Sequence, residues 1–126
     1  MKILVVDDEQ DMENLFLQRF RKEIKDGTVI FAFANSGEQA LEYMNQNNHE
    51  AVLILSDINM PGMSGLQLLE KIKQKFNAPP PVVMMITAYG DAENFNTAME
   101  LGADDFLTKP VDFNLLKTKL KIPTNG

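Results

Sequence analysis

The sequence predicts an α/β fold in which helices cover both faces of a five-stranded parallel sheet. Three observations support this prediction. Short apolar runs alternate five times with longer segments of helical period along the 126 residues. Most of these runs lack strict polar alternation, which is typical of strands covered on both faces. The length fits a single domain. Five repeats of a strand followed by a helix favour a parallel (βα)5 arrangement with right-handed crossovers.

Five segments carry the strand pattern, and the last of them is the weakest. They are Lys2–Val6, Thr28–Phe33, Ala51–Ser56, Val82–Ile86 and Ala103–Leu107. A run of three prolines at 79–81 precedes the fourth strand. Because proline has a fixed φ and no backbone N–H, this run predicts a stiff loop rather than a helix or a central strand.

The segment after the first strand predicts one continuous helix. Its apolar residues recur at steps of three and four, as on the buried face of an amphipathic helix. These residues are Met12, Leu15, Phe16, Phe20 and Ile24.

Four further helices have recognisable beginnings. Ser36 and Ser64 are each followed three residues later by glutamine, the pattern of a capping box. Asp91 and Asp112 are candidate N-caps of the fourth and fifth helices. The apolar residues of the fourth helix are Phe95, Ala98, Met99 and Leu101. The fifth helix carries three lysines that we expect to be solvated rather than to form a partner surface, Lys117, Lys119 and Lys121.

Composition and charge exclude several classes of protein. There are no cysteines, which rules out disulfides, thiol nucleophiles and cysteine metal sites. With 12 basic and 18 acidic side chains the net charge is −6, so we expect no direct binding to nucleic acid. No apolar run approaches the roughly 20 residues that span a bilayer. The first run, Ile3–Val6, is too short for a signal peptide. We therefore expect a cytoplasmic domain without membrane contact.

Chemically active side chains follow four of the strands. Asp7 and Asp8 come after the first strand, Asp57 after the third, Thr87 after the fourth and Lys109 after the fifth. In open α/β sheets, sites form at the carboxyl ends of the strands. We therefore expect three carboxylates, a hydroxyl and an ammonium group to converge at one edge of the sheet.

These residue types fit the transfer of a phosphoryl group. Carboxylate oxygens suit Mg²⁺, which in turn relieves the repulsion among clustered carboxylates. A carboxylate can also attack phosphorus to give an aspartyl phosphate. Mg²⁺ and a lysine would offset charge on the transferred group, and a hydroxyl could donate to its oxygens. There is no G-x-G-x-x-G after the first strand and no P-loop motif, which disfavours a nucleotide site.

The motifs at these strand ends resemble those of the receiver domains of two-component response regulators. The matching segments are VVDDE at 5–9, DINMPGMSG at 57–65, TA at 87–88 and KP at 109–110. The four motifs stand in the family's order and spacing. The resemblance implies a doubly wound, flavodoxin-like and CheY-like sheet with strand order 2-1-3-4-5. It also implies a receiver domain over 1–121, with 122–126 as a tail or the start of a linker.

The resemblance implies a role for each residue of the site. Asp57 would accept the phosphoryl group, and Lys109 would pair with its oxygens. Mg²⁺, or Mn²⁺ in its place, would bind the carboxylates of Asp8 and Asp57 and the backbone carbonyl of Asn59. Asp7 would act through a metal-bound water.

The resemblance also implies a conformational switch. Thr87 would hydrogen-bond the phosphoryl group, and Phe106 would be the aromatic side chain that moves with it. A phenyl ring has no hydroxyl to satisfy, so we expect Phe106 to lie inward for much of the time before phosphorylation. The Lys109–Pro110 peptide bond would be cis, which is uncommon even before proline.

A receiver domain would take its phosphoryl group from a histidine kinase or a histidine phosphotransfer protein. It would catalyse its own phosphorylation and dephosphorylation and regulate an output domain or a target protein, with homodimerisation as a further consequence of phosphorylation. Two alternatives stay open. One is a Mg²⁺-dependent phosphatase or phosphotransferase, although Asp7-Asp8-Glu9 lacks the D-x-D pattern of haloacid-dehalogenase-like enzymes. The other is an unphosphorylated docking module.

Overall fold

The structure is a computed structural model that describes residues 1–47, 53–76, 81–88 and 90–122. Five strands and six helices alternate along these residues. In chain order they are β1 Lys2–Val6, α1 Gln10–Arg19, α2 Arg21–Lys25, β2 Ile30–Ala34, α3 Gly37–Gln46, β3 Leu53–Asp57, α4 Gly65–Lys75, β4 Val82–Thr87, α5 Ala92–Glu100, β5 Asp105–Thr108 and α6 Phe113–Lys119.

The five strands form one sheet in the order β2-β1-β3-β4-β5, and every adjacent pair is parallel. This confirms the predicted topology. The strand order changes direction between β1 and β3, where Val6 lies beside Ser56. A crevice at the carboxyl ends of the strands is expected at such a switch point. The residues that follow β1 and β3 therefore meet there.

Each face of the sheet has its own hydrophobic core, because successive strand residues point to opposite sides. On one face, Leu4 and Val6 pack with buried residues of α3, α4 and α5. On the other face, Ile3 and Val5 pack with residues of α1 and α6, including the fully buried Phe16. The near-continuous apolar strands predicted from sequence follow from this two-sided burial.

The single helix predicted from Met12 to Ile24 is interrupted at Phe20. This residue has φ −107° and ψ 21°, and it separates α1 from α2. Its buried ring stacks on Phe16 and meets the edge of Phe31. The apolar spacing continues across the break, so the periodicity does not reveal it.

The predicted helix beginnings are confirmed. Ser64 and Gln67 form the predicted capping box. At Ser36 only half of the predicted box is present: the Ser36 side chain accepts from the backbone N–H of Gln39, but the Gln39 side chain accepts from the backbone N–H of Asn35 instead of that of Ser36. The side chains of Asp91 and Asp112 cap α5 and α6.

The apolar face predicted for α5 is wider than the buried face that the structure shows. Ala98 is fully buried, whereas Phe95 and Met99 are 41% and 52% exposed. Helix α5 packs on β4 near the margin of the sheet, so only a narrow stripe of it meets the core.

Two of the lysines expected to be solvated on the last helix are paired. Lys117 Nζ lies 3.0 Å from Glu23 Oε2, and Lys119 Nζ lies 3.0 Å from Asp105 Oδ1. Both partners are distant in sequence, which is why a local lysine pattern did not indicate them.

Some sequence predictions fall outside the described residues. They are the start of the third strand at 51–52, prolines 79–80 and the tail at 123–126. Among the helices that are described, none has the length and apolar character needed to cross a membrane.

Candidate functional site

Three aspartates meet at the carboxyl edge of the sheet. Asp7 and Asp8 follow β1, and Asp57 is the last residue of β3. One carboxylate oxygen from each lies within 4.8 Å of the others. Asp7 and Asp57 are each 4% exposed, whereas Asp8 is open to solvent. Carboxylates at this spacing repel one another unless a cation compensates them.

Asp7 has one satisfied and one unsatisfied oxygen. Its Oδ1 accepts a hydrogen bond of 2.9 Å from the backbone N–H of Glu9. Its Oδ2 is buried and has no hydrogen-bond partner among the described residues. Burial raises the pKa of Asp7 to about 6, against the lowering effect of that hydrogen bond, and the charge of Asp57 raises it further. A buried oxygen without a partner, within a set of hard oxygen donors, fits a divalent cation such as Mg²⁺ or Mn²⁺.

The ammonium group of Lys109 lies beside this cluster. Its Nζ is 2.9 Å from Asp57 Oδ2 and 3.8 Å from Glu9 Oε1. Burial alone would lower the pKa of Lys109, but the hydrogen bond and charge of Asp57, with the charges of Asp7 and Glu9, raise it above its ordinary value. Lys109 is therefore a positive charge at neutral pH beside the carboxylate of Asp57. The Lys109–Pro110 peptide bond is cis.

The other predicted residues surround this centre. Thr87 ends β4, is 4% exposed and borders an open groove of about 230 Å³ with Phe95 and Thr108. Phe106 on β5 is half-buried, and its ring centroid lies 4.3 Å from that of Phe95. Asn59 is exposed on the segment that follows β3.

Two residues have contacts here that the sequence analysis did not assign. Glu9 occupies the N-cap position of α1 but forms no side-chain cap, and its carboxylate points toward Lys109. Gly65 begins α4 so close to β3 that a Cβ atom there would collide with the backbone carbonyl oxygen of Asp57. Both residues belong to the motif segments, but local sequence does not identify the neighbours that they meet.

Comparison with protein families shows to which family this domain belongs. Residues 3–121 match the response regulator receiver domain family. The chain belongs to this family. It is therefore a receiver domain of the kind found in two-component response regulators.

Relatives and solved structures agree with this assignment. The receiver domain is 34% identical to response regulator RppA of Synechocystis over 96% of this chain and 49% of RppA. It is 34% identical to a chemotaxis protein CheY homolog of Campylobacter jejuni over 96% of this chain and 90% of that protein. A response regulator receiver protein from Pseudomonas putida has the same fold, with TM-score 0.81 and 26% identity over 95% of this chain and 94% of the other. The receiver domain thus spans about half of RppA and nearly all of the CheY homolog.

Proposed function

We propose that Asp57 accepts a phosphoryl group from the phosphohistidine of a histidine kinase or a histidine phosphotransfer protein in a Mg²⁺-dependent reaction in the cytoplasm. The observation that carries this proposal is the placement of Asp57. Its carboxylate is buried and forms an ion pair with the ammonium group of Lys109. One of its oxygens lies within 4.8 Å of an oxygen of each of two further carboxylates. A carboxylate can act as a nucleophile toward phosphorus, and Lys109 already lies where its positive charge would stabilise the transferred group.

In the proposed reaction, an oxygen of the Asp57 carboxylate attacks phosphorus. The P–N bond of the phosphohistidine breaks, and its electron pair stays on the imidazole nitrogen. The product is an aspartyl phosphate. Hydrolysis would end the signal. In that step water attacks the same phosphorus, the P–O bond to Asp57 breaks, and inorganic phosphate is released. The domain would catalyse both steps through its own residues.

Lys109 and Thr87 would act on the transferred group. Lys109 carries N–H donors that can turn from Asp57 Oδ2 to a phosphoryl oxygen. Thr87 lies at the end of β4, whose residue Ile86 pairs with Asp57 across the sheet. Its hydroxyl is the donor that we assign to another phosphoryl oxygen. Both contacts would stabilise charge that develops during transfer.

The metal would be held by residues that already lie at this edge. We assign the carboxylates of Asp8 and Asp57 and the backbone carbonyl of Asn59 as ligands, with Asp7 acting through a water. When bound, Mg²⁺ or Mn²⁺ supplies positive charge that offsets the carboxylates and the phosphoryl oxygens. The unpartnered Oδ2 of Asp7 supports this assignment.

Phosphorylation would then change the ratio of two conformations of the domain. We assign Thr87 and Phe106 to this switch. The output would be a further domain or a separate target protein, and one form of output would be association of two phosphorylated copies. RppA is about twice as long as this chain, and the CheY homolog is of similar length. These lengths are compatible with output through a further domain and with output through a separate target protein.

Intact-mass measurement with a small phosphodonor tests the proposal. Incubation with Mg²⁺ and acetyl phosphate should add one phosphoryl group to the wild type and none to Asp57→Asn. Asp26→Asn, which changes an exposed aspartate on a turn far from the cluster, should be labelled like the wild type. Equal labelling of Asp57→Asn and the wild type would refute the assignment.

A second assay separates the proposal from its two alternatives. A phosphatase would turn over a generic phosphomonoester many times, whereas the receiver domain should release at most the phosphate that it has itself accepted. A docking module would gain no mass in the labelling experiment.

A further inference from the structure

Glu9 stands where a helix cap is expected but does not act as one. It is the N-cap residue of α1, and its side chain accepts no hydrogen bond from the first turn. Serine, threonine, aspartate and asparagine serve best at this position because their short side chains reach the free N–H groups. The longer side chain of Glu9 instead brings Oε1 to 3.8 Å from Lys109 Nζ. Its backbone N–H meanwhile binds Asp7 Oδ1.

Lys109 is thus shared between two carboxylates of different character. The side chain of Asp57 is 5% exposed and lies 2.9 Å from the ammonium, whereas that of Glu9 is 63% exposed and more distant. Under the proposed function, Asp57 becomes phosphorylated, and the ammonium group of Lys109 then pairs with the phosphoryl oxygens. Glu9 does not change in that step. Its negative charge stays within reach of Lys109 and beside the incoming dianion.

We propose that Glu9 is a positioning residue that competes with the phosphoryl group for the Lys109 ammonium and so lowers the affinity of the site for phosphoryl-like anions. This inference rests on the proposed function, since it concerns the same site. It gives Glu9 two effects of opposite sign. Its carboxylate adds negative charge that favours a divalent cation, and the same charge disfavours an anion. Because Glu9 is largely exposed, each effect is modest, about two- to fivefold in affinity.

The test measures the affinity of the whole chain for two probes by NMR titration: Mg²⁺ alone, and beryllofluoride in saturating Mg²⁺. Glu9→Gln keeps the length of the side chain and the backbone bond to Asp7 but removes the charge. It should weaken Mg²⁺ binding and strengthen beryllofluoride binding, each about two- to fivefold. A purely structural role for Glu9 would instead weaken both.

Two further variants separate the contact from the net charge. Glu13→Gln removes the same charge from α1, near Asp7 but outside the ion pairs described for Lys109, and should change beryllofluoride affinity less than Glu9→Gln does. Glu9→Asp keeps the charge but shortens the reach and offers a good cap. It should retain Mg²⁺ affinity and share the gain in beryllofluoride affinity.

The outcomes distinguish a failure of the role proposed for Glu9 from a failure of the proposed function. If the wild type and Glu9→Gln bind beryllofluoride with equal affinity, the role assigned to Glu9 is wrong while the proposed function stands. Equal effects of Glu9→Gln and Glu13→Gln, or wild-type beryllofluoride affinity in Glu9→Asp, would also overturn it. A wild type that binds no beryllofluoride at all would overturn both proposals.

Discussion

At the scale of single residues, Asp7 illustrates how a site of this kind works against folding. The unfolded chain ionises this carboxyl group near its ordinary pKa of 3.8, but in the folded domain burial raises the pKa to about 6. Between these two values the folded state keeps a proton that the unfolded state has lost. The free energy of unfolding therefore falls as the pH rises through this window, and the full penalty applies above about pH 6. A shift of about two units corresponds to at most roughly 3 kcal/mol.

Replacing this carboxyl should therefore stabilise the domain. We expect Asp7→Asn to raise the free energy of unfolding by roughly 1–3 kcal/mol at pH 7.5 without divalent cations, and to change it little at pH 4. Urea denaturation at the two pH values measures the difference. With saturating Mg²⁺ the advantage of the variant should shrink, because a cation bound at this cluster would offset the charge of Asp7 in the wild type.

Asp26 provides the matched control for this prediction. Hydrogen bonds from the side chain and backbone of Thr28 lower the pKa of Asp26, so its charge favours folding instead. Asp26→Asn should not stabilise the domain at pH 7.5. If the wild type and Asp7→Asn showed the same dependence of stability on pH, the electrostatic cost assigned to Asp7 would be wrong.

At the scale of elements, helix α6 depends on its contacts with the rest of the domain. It has seven residues, too few to be stable in isolation. Lys117 joins it to α2 through Glu23, with side chains that are 16% and 8% exposed, and lies 5.0 Å from the centre of the Phe20 ring. The other carboxylate oxygen of Glu23, Oε1, is buried and unpartnered among the described residues. This pair adds a contact between α6 and α2, at the cost of removing two charges from water.

Removing one partner of this pair should be more harmful than removing both. Lys117→Met keeps most of the packing but leaves Glu23 buried without its counter-charge, so we expect a loss of roughly 3–5 kcal/mol in the free energy of unfolding. The double variant Glu23→Met/Lys117→Met should recover most of that loss. Chemical denaturation of the single and double variants measures both quantities.

The more exposed pair of the same helix serves as the comparison. Lys119→Met breaks the contact with Asp105, whose side chain is 37% exposed, and should cost about 1 kcal/mol or less. A double variant as unstable as Lys117→Met would mean that packing, rather than the unpaired charge, accounts for the loss.

The elements also show how far the sequence alone can predict this domain. Strands, caps and the carboxyl-edge residues follow from local pattern, as at Ser64 and Asp112, because backbone hydrogen bonding and burial act over a few residues. Strand order required the resemblance, since no local pattern specifies which strands pair. The break at Phe20 was not predicted because the apolar spacing is the same with or without it. The Lys117–Glu23 pair and the approach of Glu9 to Lys109 depend on contacts between residues far apart in the chain, which spacing does not encode.

At the scale of the whole molecule, the site is connected to the edge of the sheet. The backbone N–H of Lys109 donates to the carbonyl of Thr87 at 2.8 Å, which ties the end of β5 to that of β4. On β5, the ring of Phe106 packs against that of Phe95 on α5. A displacement at Thr87 can therefore reach α5 and β5 through packed contacts that have few alternative arrangements.

Thr87 should accordingly carry the response rather than the chemistry. We expect Thr87→Ala still to bind beryllofluoride at Asp57 but to lose most of the conformational change, because it lacks the hydroxyl to which we assign the contact with the bound anion. The measurement is the change in amide chemical shifts over residues 87–121 on adding beryllofluoride and Mg²⁺, in wild type and variant. Thr118→Ala, which removes an exposed hydroxyl on α6 bonded to Asn114, is the matched control and should respond like the wild type. A response of full size and extent in Thr87→Ala would place the switch in other residues.

The contact between Gly65 and the carbonyl of Asp57 has a consequence for protein design. A designer who transplants this site would naturally copy the carboxylates, the lysine and the threonine onto another parallel sheet. Any side chain at the position of Gly65 would push the helix off the strand that bears Asp57, since its Cβ meets backbone rather than a movable side chain. The graft would then keep every reactive group and lose their alignment, because displacements of an ångström already matter at such sites. Transfer of the site to another sheet therefore requires glycine at the position of Gly65 as well as the reactive side chains.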